Sequence, residues 1–108
     1  MIKLPENKVI ITVAQTGALV NKKMNANVPE QPDEIAASAH ECYNEGAAIV
    51  HIHARDKNAQ NTSNPEIYKA IRDGIREKCN LIIQYSTGGG PELTQEQRIE
   101  CLKEHVPY

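Results

Sequence analysis

Hydrophobic residues along the chain fall into short continuous runs, separated by longer segments in which apolar residues recur at helical spacing. Three runs are rich in β-branched residues and predict strands, at residues 9–14, 48–54 and 81–86. Runs this short, with nearly continuous apolar character, are typical of parallel strands that are covered on both faces. The pattern therefore predicts a parallel sheet.

Three helices are predicted between and after these runs. The first spans residues 32–45, with Pro32 at its first position and Gly46 placed to cap its C-terminal end. The second spans about residues 65–80 and carries one apolar stripe. The third begins at residues 94–97, where Thr-Gln-Glu-Gln matches the pattern of a capping box.

Strands and helices therefore alternate in the order β-α-β-α-β-α. Such alternation builds a parallel sheet with right-handed crossovers, found both in doubly wound sheets and in closed barrels. No linker or change in composition divides the chain. The predicted fold class is α/β, with all 108 residues in one domain.

The composition excludes several classes of function. The chain is 40% hydrophobic and 24% charged, as in soluble globular proteins, and its net charge of −2 comes from acidic and basic residues mixed along the sequence. No basic stripe offers itself to nucleic acid or to an anionic membrane. No apolar stretch approaches the roughly 18 residues that a membrane span needs. Small-molecule chemistry is therefore expected.

The cysteines bear on the cellular compartment. The three cysteines are odd in number, widely spaced and without a Cys-x-x-Cys pair. This pattern argues against a disulfide framework or a cysteine zinc site. The N-terminal residues also lack the apolar region of a secretory signal. A cytoplasmic location is therefore expected.

Two histidines interrupt the otherwise apolar second run, and an arginine follows it. His51, His53 and Arg55 are spaced two apart, so in a strand they project from the same face. Two imidazoles at this spacing can both reach one ion, and histidine nitrogen is a usual zinc ligand. They also end their strand, where parallel α/β folds place active sites. His51 and His53 are predicted metal ligands, and Arg55 a substrate-binding residue.

Simpler interpretations of these residues remain open. The histidines could be a chance pair, satisfied by hydrogen bonds in a polar interior. Arg55 could form an ion pair with Asp56 at the end of the strand. His40 and His105 have no partner at metal-ligand spacing and are expected to be surface or packing residues. An apolar strand has little reason to carry three such residues without a site, which favours metal binding.

The third predicted strand ends in Ser86, Thr87, Gly88, Gly89 and Gly90. Hydroxyls and unobstructed backbone N–H groups in such a segment can converge on an anion, such as a carboxylate or an enolate oxygen. A flexible strand-to-helix turn is the alternative, since glycine-rich turns are common. The position beside the histidine strand favours a substrate-binding turn.

Three motifs stand at the ends of successive predicted strands. They are Thr-Gly-Ala at residues 16–18, Ala-Ala-Ile-Val-His-Ile-His-Ala-Arg-Asp at residues 47–56 and Ile-Ile-Gln-Tyr-Ser-Thr-Gly-Gly at residues 82–89. Each motif alone is weak. In this order and spacing, over nearly the whole chain, they resemble the β-keto acid cleavage enzyme family.

The resemblance implies a (β/α)₈ TIM barrel that condenses a 3-keto acid with acetyl-CoA, its co-substrate, and cleaves the adduct to acetoacetate and a new acyl-CoA. It implies a zinc ion that polarises the keto group, held by His51, His53 and a glutamate from a late strand. It also implies substrate contacts from Ser86 and Gly89. The full-length protein is expected to be a homo-oligomer.

The resemblance makes residues 1–108 the N-terminal part of a single barrel domain: the first three βα units, ending before the fourth strand of a fold that needs about 250 residues. The late glutamate and the acid/base residues would lie beyond residue 108, so the fragment alone is expected to be inactive. Leu19 is a departure from the family pattern. Members acting on 3-keto-5-aminohexanoate have there a glutamate that holds the substrate amine. Leu19 therefore predicts a substrate with an uncharged or apolar end.

Two other functions remain open. A metal-dependent hydrolase barrel also uses His-x-His at a strand end to activate water. In that group the pair usually ends the first strand, whereas here a complete βα unit precedes it. An inert truncated product, or an assembly partner, is the non-enzymatic alternative for a chain of 108 residues.

Overall fold

The computed structural model describes Lys3 and residues 5–107 and has a mixed α/β architecture. Its elements follow one another as β1 (Thr12–Ala14), α1 (Pro32–Asn44), β2 (Ile49–Ile52), β3 (Ala54–Arg55), β4 (Asn61–Thr62), α2 (Pro65–Arg76), β5 (Ile82–Tyr85), α3 (Gln95–Arg98) and a 3₁₀-helix (Glu100–Leu102). Strands β1, β2 and β5 form a parallel sheet, and β3 and β4 pair as a separate antiparallel hairpin. The α/β class with a parallel sheet is therefore confirmed.

The three parallel strands lie side by side in the order β1-β2-β5. Their register aligns Val13 with Val50 and Val50 with Ile83, and one residue further along it aligns His51 with Gln84. Because side chains alternate across a strand, Val50 and His51 point to opposite faces. The sheet thus has an apolar face and a face that carries His51.

Helices α1 and α2 cover the apolar face of the sheet. The core is formed by one stripe of each helix and by the strand positions that face them: Ile35, Ala36, Ala39, Tyr68, Ile71, Ile75, Val50, Ile52, Ile83 and Tyr85. Burial of each large side chain in such a core contributes about 1.5–3 kcal/mol. The helices approach closely at Gly74, where a Cβ would lie 3.1 Å from the Cβ of Ala36.

The opposite face of the sheet, called here the open face, is uncovered among the described residues. Ile82 is 59% exposed, although large aliphatic residues of a sheet are usually buried. Ile49 and His51 on the same face are half-buried. Apolar surface of this kind is usually buried against other segments of the chain or against other molecules.

The helix ends confirm the capping residues expected from the sequence. Asn64 caps α2, where its Oδ1 accepts from the Glu66 N–H at 2.9 Å. Thr94 and Gln97 form the capping box of α3, through bonds of 2.9 and 3.2 Å. Gly46 follows α1 with a φ of +105°, the left-handed conformation that this helix end requires.

The structure differs from the predicted strands beyond β2. Strand β2 ends at Ile52, and after His53 the chain leaves the main sheet to form the β3–β4 hairpin, which the hydrophobic pattern does not predict. The Asp56 carboxylate closes its turn by accepting from the N–H groups of Asn58 and Gln60 at 2.8 and 3.0 Å. This local side-chain bonding favours a turn over a continued strand.

Some elements are shorter than their predicted lengths. Strand β1 has three residues, and α2 ends at Arg76, where the guanidinium Nη1 donates to Leu81 O at 2.5 Å and the chain turns into β5. The third helix has four residues, followed by the 3₁₀-helix. Among the described residues no helix has the length and apolarity to cross a bilayer.

Glu34 holds the start of α1 together. Its Oε2 accepts from the N–H groups of Glu30 and Gln31 at 2.9 and 3.0 Å, and its Oε1 lies 3.0 Å from Lys22 Nζ. The two backbone N–H donors contribute most to lowering the pKa of Glu34 from 4.5 to about 2, and Lys22 contributes less. The charged carboxylate therefore stabilises the fold fully above pH 4.5, and this contribution is lost as the pH falls toward 2.

We expect Glu34→Gln to lower the free energy of unfolding at neutral pH by about 1 kcal/mol, because an uncharged amide accepts more weakly from the two N–H groups. Urea denaturation followed by circular dichroism measures this, and the loss should shrink between about pH 4 and about pH 2. Glu41→Gln, at an exposed position of the same helix, is the matched control. Equal losses for the two variants would contradict the role of Glu34.

Candidate functional site

His51 and His53 lie side by side at the carboxyl end of β2. Their ring centroids are 5.2 Å apart, and the ring planes are inclined by 66°. Both side chains are half-buried, His51 within the strand and His53 immediately beyond it. The spacing of two residues thus brings both imidazoles to one place, as strand geometry leads one to expect.

Gln84 fixes the orientation of His51. It is the register partner of His51 in β5, and its Oε1 lies 2.7 Å from His51 Nδ1. With this oxygen as the acceptor, the ring proton resides on Nδ1 and Nε2 keeps a free lone pair. A hydrogen bond to the second ring nitrogen is the usual way in which a metal-binding histidine is oriented.

The surroundings of His53 favour its neutral form. Burial lowers the pKa of His53 below the ordinary value of 6.5, and the charges of His51 and Arg55 lower it further. A histidine must be neutral to bind a metal ion. This environment therefore suits a metal ligand.

The separation of the two histidine rings is compatible with one shared zinc ion. Two imidazoles on one tetrahedral zinc, with Zn–N bonds of about 2.0–2.1 Å, have ring centroids about 5 Å apart, close to the 5.2 Å of this pair. A catalytic zinc usually has three protein ligands. Within residues 5–107, no cysteine, carboxylate or third histidine joins the pair to complete such a set.

A separate group of possible metal donors lies near the C-terminal end. Glu66, Glu104 and His105 have one ligand atom each within 4.8 Å of one another, and His105 Nε2 is 2.8 Å from Glu66 Oε1. Both carboxylates are exposed, as in many surface ion pairs. His105 therefore has a hydrogen-bond partner, Glu66, that sequence spacing alone does not reveal.

Ser86 is held firmly where β5 ends. Its N–H donates to Ile52 O at 2.9 Å, its carbonyl accepts from Tyr68 Oη at 3.2 Å, and its Oγ accepts from the Gly88 N–H at 3.2 Å. Only 4% of the residue is exposed. Because Ile52 directly precedes His53, these contacts bring the start of the turn beside the histidine pair.

The turn after Ser86 requires glycine at position 89. Gly89 has a φ of +54°, and a Cβ there would lie 2.6 Å from Leu93 Cδ1. The left-handed backbone disfavours larger residues, which would also force the end of the Leu93 side chain to move. Thr87 and Gly88 are exposed, so the tip of the turn faces away from the core.

Unlike the half-buried histidines, Leu19 is exposed and Arg55 is buried. Leu19 is 74% exposed in the loop that follows β1. Arg55 is buried, and its guanidinium donates to the carbonyls of Gly17, Val20 and Ala59. No carboxylate in the described part of the chain lies within ion-pair distance of it. Arg55 thus faces backbone carbonyls, and its direct contact with a substrate stays a prediction.

Two residues of the site were not expected from the sequence. Gln84 orients His51, and Asn61 in β4 contacts the loops that follow β1 and β5. A polar residue inside the apolar run 81–86 is the signal that could have identified Gln84. Asn61 lies in a hairpin that hydrophobic periodicity does not predict, so it has no comparable signal.

We expect Gln84→Met to release the Nδ1–H tautomer of His51, because methionine offers only a weak acceptor. Nitrogen-15 NMR of the imidazole ring at alkaline pH should then show a mixture of tautomers in place of one. Gln95→Met, at an exposed position in α3, is the matched control and should leave the His51 signals unchanged. An unaltered tautomer in Gln84→Met would show that this hydrogen bond does not orient the ring.

The sequence is similar to proteins of one family. The family model described as beta-keto acid cleavage enzyme matches residues 8–108. The chain is 42% identical over 94 residues to the 3-keto-5-aminohexanoate cleavage enzyme of Acetoanaerobium sticklandii, a match that covers 86% of this chain and 34% of that protein. It is 40% identical over 99 residues to the protein of the same name from Fusobacterium nucleatum, covering 91% of this chain and 36% of that protein.

A third relative is the 3,5-dioxohexanoate:acetyl-CoA acetone transferase of Paraburkholderia graminis. It is 36% identical over 103 residues, which cover 94% of this chain and 33% of the relative. The chain therefore spans about a third of the length of these three relatives. Because the family model matches all but the first seven residues, this chain belongs to the beta-keto acid cleavage enzyme family.

Proposed function

We propose that the protein that includes this chain is a zinc-dependent enzyme that condenses a 3-keto acid with acetyl-CoA and releases acetoacetate and a new acyl-CoA. The observation that carries the proposal is the histidine pair at the end of β2, with ring centroids 5.2 Å apart, in a chain of this family. The names of three relatives include acetyl-CoA. Those of two others describe cleavage of a keto acid.

We propose that residues 1–108 form the first three βα units of a (β/α)₈ barrel, as the N-terminal part of one domain that continues into a fourth strand. The sequential strand order β1-β2-β5, with both helices on one face, is that of neighbouring units in a barrel. One half of a doubly wound sheet has the same order, so the choice of a barrel rests on the family match. The open face would then line the barrel interior. Such barrels have about 250 residues, and this chain covers about a third of its relatives.

His51 and His53 would hold the zinc ion, with a third ligand from outside this chain. His51 would bind through Nε2, because its Nδ1 is engaged with Gln84. The lowered pKa of His53 keeps its ring neutral and ready to bind. When bound, zinc supplies Lewis-acid polarisation of the substrate's keto oxygen. The chain itself orients the His51 imidazole through Gln84 and disfavours protonation of His53.

Ser86, Thr87, Gly88 and Gly89 would bind an oxygen of the substrate beside the metal. The Ser86 Oγ accepts from Gly88 and donates to none of the described residues, so its proton is available for a carboxylate or enolate oxygen. Bonds to its backbone hold Ser86 in place, and the Gly88 N–H orients its hydroxyl before the substrate arrives. Prearranged donors stabilise developing negative charge without a cost of reorganisation.

The remaining properties of the protein are also proposals. The acid/base residues would lie outside this chain, so the chain alone would not turn over substrate. Cys42, Cys79 and Cys101 are free thiols, which supports a reducing cytoplasm. We further propose a homo-oligomer for the full-length protein, with small molecules and not nucleic acid or membrane as its ligands.

A chimaera tests the metal site. In this chimaera, the present chain replaces the matching third of the Acetoanaerobium sticklandii relative. We expect it to hold about one zinc ion per chain, and His51→Ala or His53→Ala to lose most of it, because two remaining ligands bind weakly. Elemental analysis of the dialysed proteins measures this. His40→Ala, at a half-buried position of α1, is the matched control.

Unchanged zinc content in His51→Ala would contradict the metal assignment. The isolated 108-residue chain offers two of the three usual ligands, so it should bind zinc weakly. It should also form no acyl-CoA from acetyl-CoA and a 3-keto acid. Turnover by the isolated chain would require acid/base groups among its own residues and would overturn the proposal that they lie elsewhere.

We expect the chimaera to prefer an unsubstituted 3-keto acid over 3-keto-5-aminohexanoate. An ammonium group facing Leu19 would lose its hydration without gaining a partner. Leu19→Glu should shift the ratio of the two kcat/KM values toward the amino substrate by about 10- to 100-fold, the effect of one charged hydrogen bond.

Met24→Glu is the matched control for this experiment. Met24 is exposed in the same loop as Leu19, so the variant adds the same charge at a different place. Its ratio of kcat/KM values should stay close to that of the parent chimaera. A clear preference of the parent chimaera for the amino substrate would show that Leu19 does not face that end of the substrate.

A further inference from the structure

We propose that Arg55 and Asn61 are positioning residues that set the substrate preference of the site by fixing the Leu19 loop, residues 17–20. The two residues are register partners across the β3–β4 hairpin. The inference rests on the proposed function, because it concerns which substrates this loop admits. It is carried by the contacts that the two side chains make with the loop.

Arg55 folds the Leu19 loop around its guanidinium. Nη2 donates to Gly17 O and to Val20 O, both at 2.9 Å, while Nη1 donates to Ala59 O at 3.1 Å. Two carbonyls three residues apart that converge on one nitrogen must lie close together, so the loop bends. Leu19 lies between them and is turned outward, with 74% of its surface exposed.

Because Arg55 is buried, its charge depends on these hydrogen bonds to the loop. Arg55 is 4% exposed, and none of the described carboxylates pairs with it. Its charge is therefore stabilised by backbone carbonyls, and the buried cation loses its partners if the loop moves. Lysine cannot replace it, because only the planar guanidinium presents several donors in a fixed fork.

Asn61 ties the Leu19 loop to the glycine turn, residues 86–90. Its Nδ2 donates to Ala18 O at 3.0 Å and to Glu92 Oε1 at 3.1 Å. Glu92 lies two residues beyond the turn, and a Cβ at Gly90 would overlap the Asn61 Nδ2. One amide group thus links the Leu19 loop to the end of the glycine turn.

The hairpin also connects these segments to the histidine pair. Strand β3 begins directly after His53, so the backbone that carries the metal ligands continues into Arg55. The hairpin therefore fixes the distance from the histidines to the two substrate-binding segments. A misplacement of about 1 Å can change a rate by about 100-fold, so these contacts should affect substrate preference as well as stability.

The ends of the loop have anchors of their own. Thr16 Oγ1 donates to Pro29 O at 2.7 Å, and Glu30 Oε1 accepts from the Lys22 N–H at 2.9 Å. Loss of the hairpin contacts should therefore release residues 17–20 while the flanking segments and the core stay folded.

Backbone nitrogen-15 relaxation of the 108-residue chain tests the positioning directly. In Arg55→Lys, Arg55→Met and Asn61→Ala, the heteronuclear NOE values of residues 17–20 should fall to those of a flexible loop, while those of α2 stay unchanged. Asn58→Ala, exposed in the same hairpin, is the matched control and should relax like the parent. Unchanged NOE values at residues 17–20, or an equal fall throughout α2, would overturn the inference.

Substrate preference in the chimaera separates positioning from a purely structural role. A released Leu19 loop no longer holds its leucine against the substrate, so Arg55→Lys and Asn61→Ala should reduce the preference for the unsubstituted keto acid by about fivefold or more. The main change should be in KM, with zinc content as in the parent. An unchanged preference would overturn the inference.

Failure of the proposed function is recognised separately. A parent chimaera that holds no zinc and shows no turnover would contradict the proposed function, and the claim about substrate preference would fail with it. Nitrogen-15 relaxation of the 108-residue chain would still decide whether Arg55 and Asn61 hold the loop.

Discussion

The parallel pairing of β2 with β5 is the constraint on which the candidate site depends. Its register places His51 opposite Gln84 and leaves Val50 and Ile83 facing the helices. A shift of one residue would turn His51 into the core and Val50 toward the open face, because side chains alternate along a strand. The fully buried Val50 therefore also fixes the position of His51. The apolar core determines the register of the two strands, and this register determines which residue hydrogen-bonds to the imidazole.

The main elements could be predicted because their signals are local. Asn64 and Thr94 mark helix starts through hydrogen bonds to residues two or three positions away, and β-branched runs mark the strands. The proximity of His51 and His53 follows in the same way from the period of a strand. These parts of the structure depend little on the rest of the chain.

The parts that could not be predicted depend on contacts distant in sequence. The strands of the β3–β4 hairpin have two residues each, too few for a periodic pattern. Arg55 binds carbonyls 35 and 38 positions away, and Gln84 meets a histidine 33 positions away. Sequence spacing places Arg55 on one continuous strand with the histidines, whereas in the structure the chain leaves the main sheet after Ile52.

A buried tyrosine pair lies directly behind the glycine turn. The chain contains no tryptophan and no phenylalanine, so its near-ultraviolet circular dichroism arises mainly from tyrosine rings. Tyr68 and Tyr85 pack with ring centroids 4.7 Å apart, and the Tyr68 hydroxyl donates to Ser86 O. The near-ultraviolet signal of packed tyrosine rings weakens when side-chain packing loosens, even if the helices persist. The unlabelled chain thus carries an intrinsic optical probe of the packing beneath its candidate substrate-binding turn.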